Sequence, residues 1–357
     1  MQSIVVLADS RRWNSYYQLV FPLYKWSGLL KKHGYNVHIT ADKNDKRLKM
    51  ADIAIITSKA FSNGWQNIER RNRQNEEELF TYLKELKKTV KRLVWHDRSA
   101  TTGSTDFPLI KYVDVFMKNQ IMKDLSFYTH DNGAYSVRPW LTDTINLQDH
   151  FKKYFPCPDD QLHKIKLGWN LGLLDYRVFL GKKYLSNYFF TNPKFYKSSA
   201  DRRLDFSFRG AIDYGTSISY QRNKVIELLR EITKYKSVLS AEKLDKAAFI
   251  KEIAESKVCL SPFGWGEVCY RDFEVFSAGA LLFKPSMNYM NTFPDIFIEN
   301  ETYIPFSLEE GDLIEKLTRV LDNYADYIPI AQNGQNLFSN AINDGEAFVK
   351  HFLKSIT

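Results

Sequence analysis

A chain of 357 residues has room for about two domains of roughly 150 residues each; its 44% hydrophobic and 26% charged residues exclude intrinsic disorder as the main state. The three cysteines, Cys157, Cys259 and Cys269, are too few and too scattered for a disulfide scaffold or a four-thiolate zinc site. Fifty Lys and Arg against 42 Asp and Glu leave a net charge of +8, dispersed along the chain in a way that does not mark a nucleic-acid binder.

The N-terminal part alternates short apolar runs with amphipathic stretches. Ile4–Ala8 reads as a strand, and Leu19–Lys32 as a helix closed by His33-Gly34 in the position of a C-cap. Asn36–Thr40 and Ile53–Thr57 are further strands. Glu76–Lys91 is expected to be a helix, with Leu79, Leu83, Leu86 and Val90 at three- and four-residue steps. Its basic stretch Lys84–Arg92 lies beside Glu76, Glu77 and Glu78 and reads as a solvated face, or as a patch for anionic lipids or an anionic substrate. Arg92–Trp95 and Tyr112–Met117 complete the strands. Strands that are apolar throughout and alternate with helices indicate a parallel sheet covered on both faces, a doubly wound domain over residues 1–140. No apolar run reaches the roughly 18–20 residues of a membrane span. Charged residues come straight after the first short apolar run, so no signal peptide is expected and the expected compartment is the cytoplasm.

Residues 141–203 lose the pattern and read as linker and interdomain packing. A second β-α series then begins: strand Leu204–Phe208, helix Tyr220–Thr233, helix Lys246–Ser256, strand Lys257–Ser261, helix Phe273–Ala278 and strand Gly279–Phe283. Helices Leu313–Leu321 and Glu346–Leu353 close the chain. A second domain over 204–340 follows, with 341–357 as a terminal helix able to pack back on the first. The expected fold class is α/β, two Rossmann-like doubly wound domains facing a cleft.

The segment Ser261-Pro262-Phe263-Gly264-Trp265-Gly266-Glu267-Val268-Cys269-Tyr270-Arg271-Asp272-Phe273-Glu274 carries the most chemistry. A strand ends, a Gly-containing loop follows and a helix begins, and ligands of open α/β sheets sit beyond such strand ends. Loop glycines let backbone N–H groups approach a phosphate, and the helix dipole favours an anion there. Arg271 on the first turn can fork onto a diphosphate, and Glu274, three residues on, can accept both hydroxyls of a ribose. The competing reading is an Arg–Glu surface pair behind an ordinary loop.

The run Tyr270-Arg271-Asp272-Phe273-Glu274, followed by Ser277-Ala278-Gly279-Ala280-Leu281-Leu282, resembles the donor-binding half of GT-B glycosyltransferases. It is similar to the group 1 and exostosin-like domains, with their Arg-x-x-Glu and small-Gly-x-apolar-apolar strand. Phe297–Phe306 and the helix after it resemble the segment that follows that strand, and Phe206–Gly210 with Arg222 resembles the domain's first strand and Gly turn. The resemblance covers residues 204–350. It implies that Glu274 binds the nucleotide ribose and Arg271 the diphosphate. Ser261, Pro262, Phe263, Gly264, Gly266, Glu267 and Tyr270 would line the donor, and Arg209 with Gly210, or Arg222, would supply a second positive charge. It implies no cofactor, and no metal, because charges and helix dipoles neutralise the leaving diphosphate in such enzymes.

A base for the acceptor hydroxyl is sought at Trp95-His96-Asp97-Arg98, after an apolar strand and before the hydroxyl-rich Ser99–Asp106. Asp97 is expected as the base, oriented by His96 or Arg98; a structural cluster ordering the loop is the alternative. Asp9-Ser10-Arg11-Arg12 and Asp213-Tyr214 rank lower, and His130-Asp131-Asn132-Gly133 reads as a turn. The expected activity is transfer of a sugar from a nucleotide-activated donor to a hydroxyl of a glycan or lipid-linked glycan. Such chemistry belongs to surface polysaccharide or glycoconjugate synthesis, with peripheral contact to an anionic membrane. The rivals are a nucleotide-sugar epimerase or a phosphorylase on the same fold, and a non-catalytic nucleotide- or glycan-binding protein.

Overall fold

The computed structural model describes residues 1–8, 20–58, 60, 71–130, 155–174, 194–213, 216–309 and 311–357, and the backbone of 177–178 and 188–189. It divides into two compact units. Unit 1 holds Met1–Asn192, Met290–Phe293 and Asp344–Thr357, and unit 2 holds Pro193–Tyr289 and Pro294–Asn343.

Unit 1 is built on β1 (Gln2–Leu7), β2 (Tyr35–Thr40), β3 (Ile53–Thr57), β4 (Arg92–Asp97) and β5 (Val115–Lys118). A short β6 (Gln120–Met122) follows, and β7 (Ile165–Leu167) adds an edge to the main sheet. The sheet order is β2-β1-β3-β4-β5-β7, parallel throughout. All five positions of β3 are buried, as expected of a strand covered on both faces. The order reverses between β1 and β3; the segments following these two strands, 9–19 with Asp9–Arg12 and 61–70, lie outside the described residues.

The structure differs from the sequence reading at three places in this unit. The single helix expected over Leu19–Lys32 is α1 (Phe21–Lys25) and α2 (Ser27–Lys32), broken where Trp26 leaves helical geometry and packs its ring against Phe348. The strand expected from Tyr112 starts at Val115, because Phe107–Tyr112 form a 3-10 turn and Asp114 accepts the Leu93 N–H at 2.8 Å. Ile165–Leu167, inside the expected linker, is the edge strand β7; three residues are too few to show a period. The helices α3 (Lys46–Met50) and α4 (Arg73–Lys87) complete the layer, α4 opening on a capping box between Asn72 and Asn75.

Beyond the backbone-only pair β8 (Arg177–Val178) and β9 (Tyr188–Phe189), unit 2 starts with β10 (Leu204–Arg209). There follow α5 (Thr216–Arg230), β11 (Ser237–Ser240), α6 (Lys246–Ala254), β12 (Ser256–Leu260), α7 (Tyr270–Ala278) and β13 (Leu281–Pro285). After β14 (Met290–Thr292), which belongs to unit 1 and pairs antiparallel with β6 within it, unit 2 continues with β15 (Ile304–Phe306), α8 (Leu313–Asp322) and α9 (Tyr324–Ala341). The last helix, α10 (Gly345–Ile356), belongs to unit 1. The sheet order is β11-β10-β12-β13-β15, again parallel, so the reversal falls between β10 and β12. Phe206, Phe208, Val258, Leu260, Leu281 and Phe283 from the strands pack with Val225, Leu229, Leu317 and Val320 from the helices. Gly279 ends α7 with φ +64°, and an added Cβ would lie 2.4 Å from the Tyr196 carbonyl, so both conformation and space require glycine there.

Candidate functional site

The carboxyl ends of β10 and β12 meet at the reversal of the unit 2 sheet, where open α/β sheets hold ligands. β10 ends at Arg209-Gly210, and β12 runs into Ser261, whose N–H extends the ladder to the Phe283 carbonyl at 2.8 Å. Gly264 N–H reaches the Gly266 carbonyl at 3.1 Å, a tight loop that leaves Trp265 exposed while Pro262, Phe263, Gly264, Gly266 and Glu267 are buried. The N-cap of α7 is Cys269, and Asp272 accepts its N–H at 2.9 Å, which fixes where the helix begins.

That start aims Arg271 back towards β10. Its Nη2 donates to the Arg209 carbonyl at 2.7 Å, and its guanidinium lies 5.1 Å from the centre of the Phe208 ring. Its Nε and Nη1 are buried and have no hydrogen-bond partner among the described residues. Unsatisfied buried donors are uncommon in folded proteins, and a cation makes them costlier still. A Cβ at Gly210 would lie 2.6 Å from Arg271 Nη2, and one at Gly264 would lie 3.1 Å from Arg222 Nη2. Two glycines thus sit against two guanidinium groups. Arg222, on α5, is buried and donates from Nη1 to the Ala211 carbonyl at 2.5 Å.

Glu274 stands one turn beyond Arg271 and is paired with Lys246 at the start of α6. Lys246 is half-exposed while Glu274 is nearly covered. Arg209, in contrast, is engaged: Glu252 takes its Nη2 at 2.7 Å and its Nε at 3.0 Å, and the Glu242 carbonyl takes its Nη1 at 2.9 Å. Its side chain ties β10 to α6 and its carbonyl holds Arg271. Tyr270 is exposed at the helix start, and Glu267 is buried with its carbonyl accepting from Lys284 at 2.6 Å. Cys269 and Cys259 are thiols whose pKa burial pushes up, Cys259 to about 12.

Two residues of this site were missed in the sequence, Asp272 and Lys284. Both are fully buried, 3.0 Å apart, and Asp272 also accepts the Ser261 hydroxyl at 2.5 Å. The available signal was a carboxylate at the third helical position after a Gly loop, and a lone lysine closing the apolar run Leu281-Leu282-Phe283.

In unit 1, His96 and Asp97 end β4 and are both buried. Asp97 accepts from Lys118 Nζ at 2.7 Å and the Ser104 hydroxyl at 2.6 Å on one oxygen, and from the Ser99 N–H at 2.9 Å on the other. Burial alone would raise its pKa, but the Lys118 charge and these hydrogen bonds outweigh it and hold the carboxylate below its usual range. His96 shares a hydrogen bond with Asn119 Oδ1 at 3.1 Å and packs 4.7 Å from the Trp169 ring. Burial, then the Arg98 charge, pushes its pKa down to about 3, so the ring is neutral near pH 7. Asp213 is exposed, Tyr214 and residues 131–133 lie outside the described residues, and His130 Nδ1 lies 3.1 Å from the Ser126 carbonyl. Among the described residues no three His, Cys, Asp or Glu side chains gather as metal ligands, and no helix is long and apolar enough to cross a membrane.

No family model matches the chain, and no curated protein matches it significantly. Among solved structures it is similar to an alpha-glucosyltransferase in complex with UDP and a 13-mer DNA containing an HMU base. That match has 10% identity, 99% of each chain covered and a TM-score of 0.50. It also matches the HepE protein of Anabaena in complex with UDP-glucose, at 11% identity, 99% of each chain and TM-score 0.44. A third match is sucrose-phosphate synthase from Thermosynechococcus elongatus, at 10% identity, 99% of this chain and 98% of that one, TM-score 0.45. Two Rossmann-like α/β units in one chain are the architecture of the GT-B glycosyltransferases, and this chain has that fold. At such identities the likeness is one of fold; the chemistry has to be argued from the residues.

Proposed function

We propose that the chain is a GT-B glycosyltransferase whose unit 2 binds a nucleotide-activated sugar at the β10/β12 strand ends. The observation that carries this is Arg271 at the reversal of a parallel sheet: its Nε and Nη1 are buried without a hydrogen-bond partner among the described residues, and a Cβ at Gly210 would meet its Nη2 at 2.6 Å. Separate oxygens of a diphosphate would satisfy those donors, and Arg222 lies across the loop with a second positive charge. Glu274 then takes the ribose hydroxyls, giving up Lys246 to solvent. As the sugar departs, charge develops on the diphosphate, and two fixed guanidinium groups with the α7 N-terminus stabilise it. This is the work a metal ion does in other transferases, so the transfer is proposed to run without one. UDP is the first nucleotide to try, because the structurally similar alpha-glucosyltransferase holds it.

The acceptor is proposed to be a hydroxyl of a glycan or lipid-linked glycan. Asp97, expected from the sequence as the base, has both oxygens engaged, and that supports a positioning part in ordering the Arg98–Asp106 loop. Asp97→Asn tests this, since unchanged turnover in a folded variant removes Asp97 as the base. The basic face of α4 is paired at Lys87–Asp114, Lys88–Glu85 and, just beyond the helix, Lys91–Asp52, which supports a solvated face.

The deciding assay supplies UDP-, GDP-, ADP- and TDP-sugars with and without glycan acceptors. Acceptor-dependent release of one nucleoside diphosphate is expected. Sugar conversion without an acceptor would favour the epimerase, and nucleotide binding with no turnover the non-catalytic binding protein.

A further inference from the structure

Asp272 and Lys284 stand fully buried as an ion pair. Removing two charges from water is offset only where geometry is good and the remaining lone pairs and protons are satisfied, and an apolar pair of similar volume often does as well for stability. What distinguishes this pair is where its contacts go. Asp272 accepts from the Ser261 hydroxyl at 2.5 Å and the Cys269 N–H at 2.9 Å. Lys284 donates to the Glu267 carbonyl at 2.6 Å, and its Nζ lies 5.0 Å from the centre of the Phe263 ring. These are the first, third, seventh and last residues of one nine-residue loop, 261–269. Outside the loop, Nζ also approaches the Phe297 ring at 5.8 Å, and the Asp272 charge acts on Tyr303.

We propose that the Asp272–Lys284 pair is a positioning clamp, which holds the 261–269 loop and the first turn of α7 in the one conformation that receives the donor diphosphate. The inference rests on the nucleotide-binding reading of this site. Gly264 and Gly266 give the loop many backbone states, so its N–H groups converge only if something outside fixes it. The clamp fixes both ends and the middle. Because Asp272 captures the Cys269 N–H, it also sets where α7 starts, and so the direction in which the neighbouring Arg271 leaves the helix. Neither Asp272 nor Lys284 needs to touch the ligand.

The test replaces both charges at once, Asp272→Leu with Lys284→Met, so that no buried charge is orphaned. Two readouts are taken: amide exchange, and UDP titration by calorimetry. The clamp predicts a folded variant whose amides 263–269 exchange at least tenfold faster, with the strand amides of unit 2 still protected and UDP bound at least tenfold more weakly. Unchanged loop exchange and unchanged affinity in the folded variant would overturn it. If the double variant does not fold, Ser261→Ala, which removes one anchor of Asp272, decides the matter. A several-fold loss of affinity with faster loop exchange supports the clamp, and wild-type values on both overturn it. Failure of the wild-type protein to bind any nucleoside diphosphate would instead remove the reading of the site, and the clamp's purpose with it. Failure of the variants alone leaves that reading standing.

Discussion

Among the described residues each unit buries a lysine against an aspartate beside a strand-end loop, Lys118 with Asp97 and Lys284 with Asp272, and the two pairs are proposed to do different things. In unit 1, Lys118 at the end of β5 bridges Asp97 and the Gly103 carbonyl, at 2.7 and 2.8 Å. In unit 2, Lys284 on β13 bridges Asp272 and the Glu267 carbonyl, at 3.0 and 2.6 Å. The lysine sits on the neighbouring strand and gathers the loop that follows the strand before it. In unit 2 that strand is β12, at the reversal of sheet order, and the gathered loop carries Gly264 next to Arg222. In unit 1 it is β4, one strand away from the reversal between β1 and β3. On the proposed reading the same device shapes a ligand loop in unit 2 and a structural loop in unit 1, and position relative to the reversal separates the two.

The largest effect expected from this contrast is on stability. Lys118→Met leaves Asp97 buried without its cation and should destabilise unit 1 by about 3–5 kcal/mol. Nucleotide affinity in the folded protein should stay at the wild-type value. Denaturant unfolding with calorimetric UDP titration checks both; a large loss of affinity with little loss of stability would reverse the roles assigned to the two pairs. Next is Arg271→Ala, which removes charge-assisted bonds worth about 1.5–3 kcal/mol each and should weaken UDP at least tenfold, with a small change in melting temperature.

The pH dependence of unit 1 is smaller per unit but has a definite sign. His96 is held neutral in the fold with a pKa of about 3, while in the unfolded chain it titrates near 6.5. The unfolded state binds the proton first, so this contribution to stability is intact above pH 6.5. It is lost as the pH falls towards 3, at up to about 1.4 kcal/mol per unit. Unfolding curves of wild type and His96→Asn between pH 7 and 4 should diverge in slope, the variant being flatter; equal slopes would place the titration elsewhere. The smallest effect is at Lys246→Ala. Breaking a half-exposed pair costs under about 1 kcal/mol and frees Glu274, so UDP affinity should hold or rise up to a few-fold. A tenfold loss would make Lys246 a ligand in its own right.

What the sequence disclosed follows from the physics of each signal. Arg271 and Glu274 stood out as candidates because a helix places residues three apart on one face beyond a Gly loop, a spacing that an Arg–Glu surface pair behind an ordinary loop shares. Asp272, between them, was passed over because burial cannot be read from one residue's type. Lys118 and Lys284 close the fully apolar runs Val115-Phe116-Met117 and Leu281-Leu282-Phe283, where a charge reads as a strand end meeting water. Only the fold shows that both ammonium groups stay inside. The long helix Tyr324–Ala341 was missed because Pro329 and Gly334 interrupt its pattern; Gly334 is required where a Cβ would lie 2.5 Å from Phe276.

The central claim is that unit 2 holds a nucleoside diphosphate between Arg271 and Glu274. The most direct test is a thermal-shift panel of UDP, GDP, ADP, TDP and CMP on wild type and Glu274→Ala. A nucleotide at 100 times its dissociation constant stabilises by about 2.7 kcal/mol. The expected result is a rise in melting temperature with one nucleoside diphosphate, lost in Glu274→Ala. No rise with any of the five, or a rise that survives in the variant, would contradict the claim.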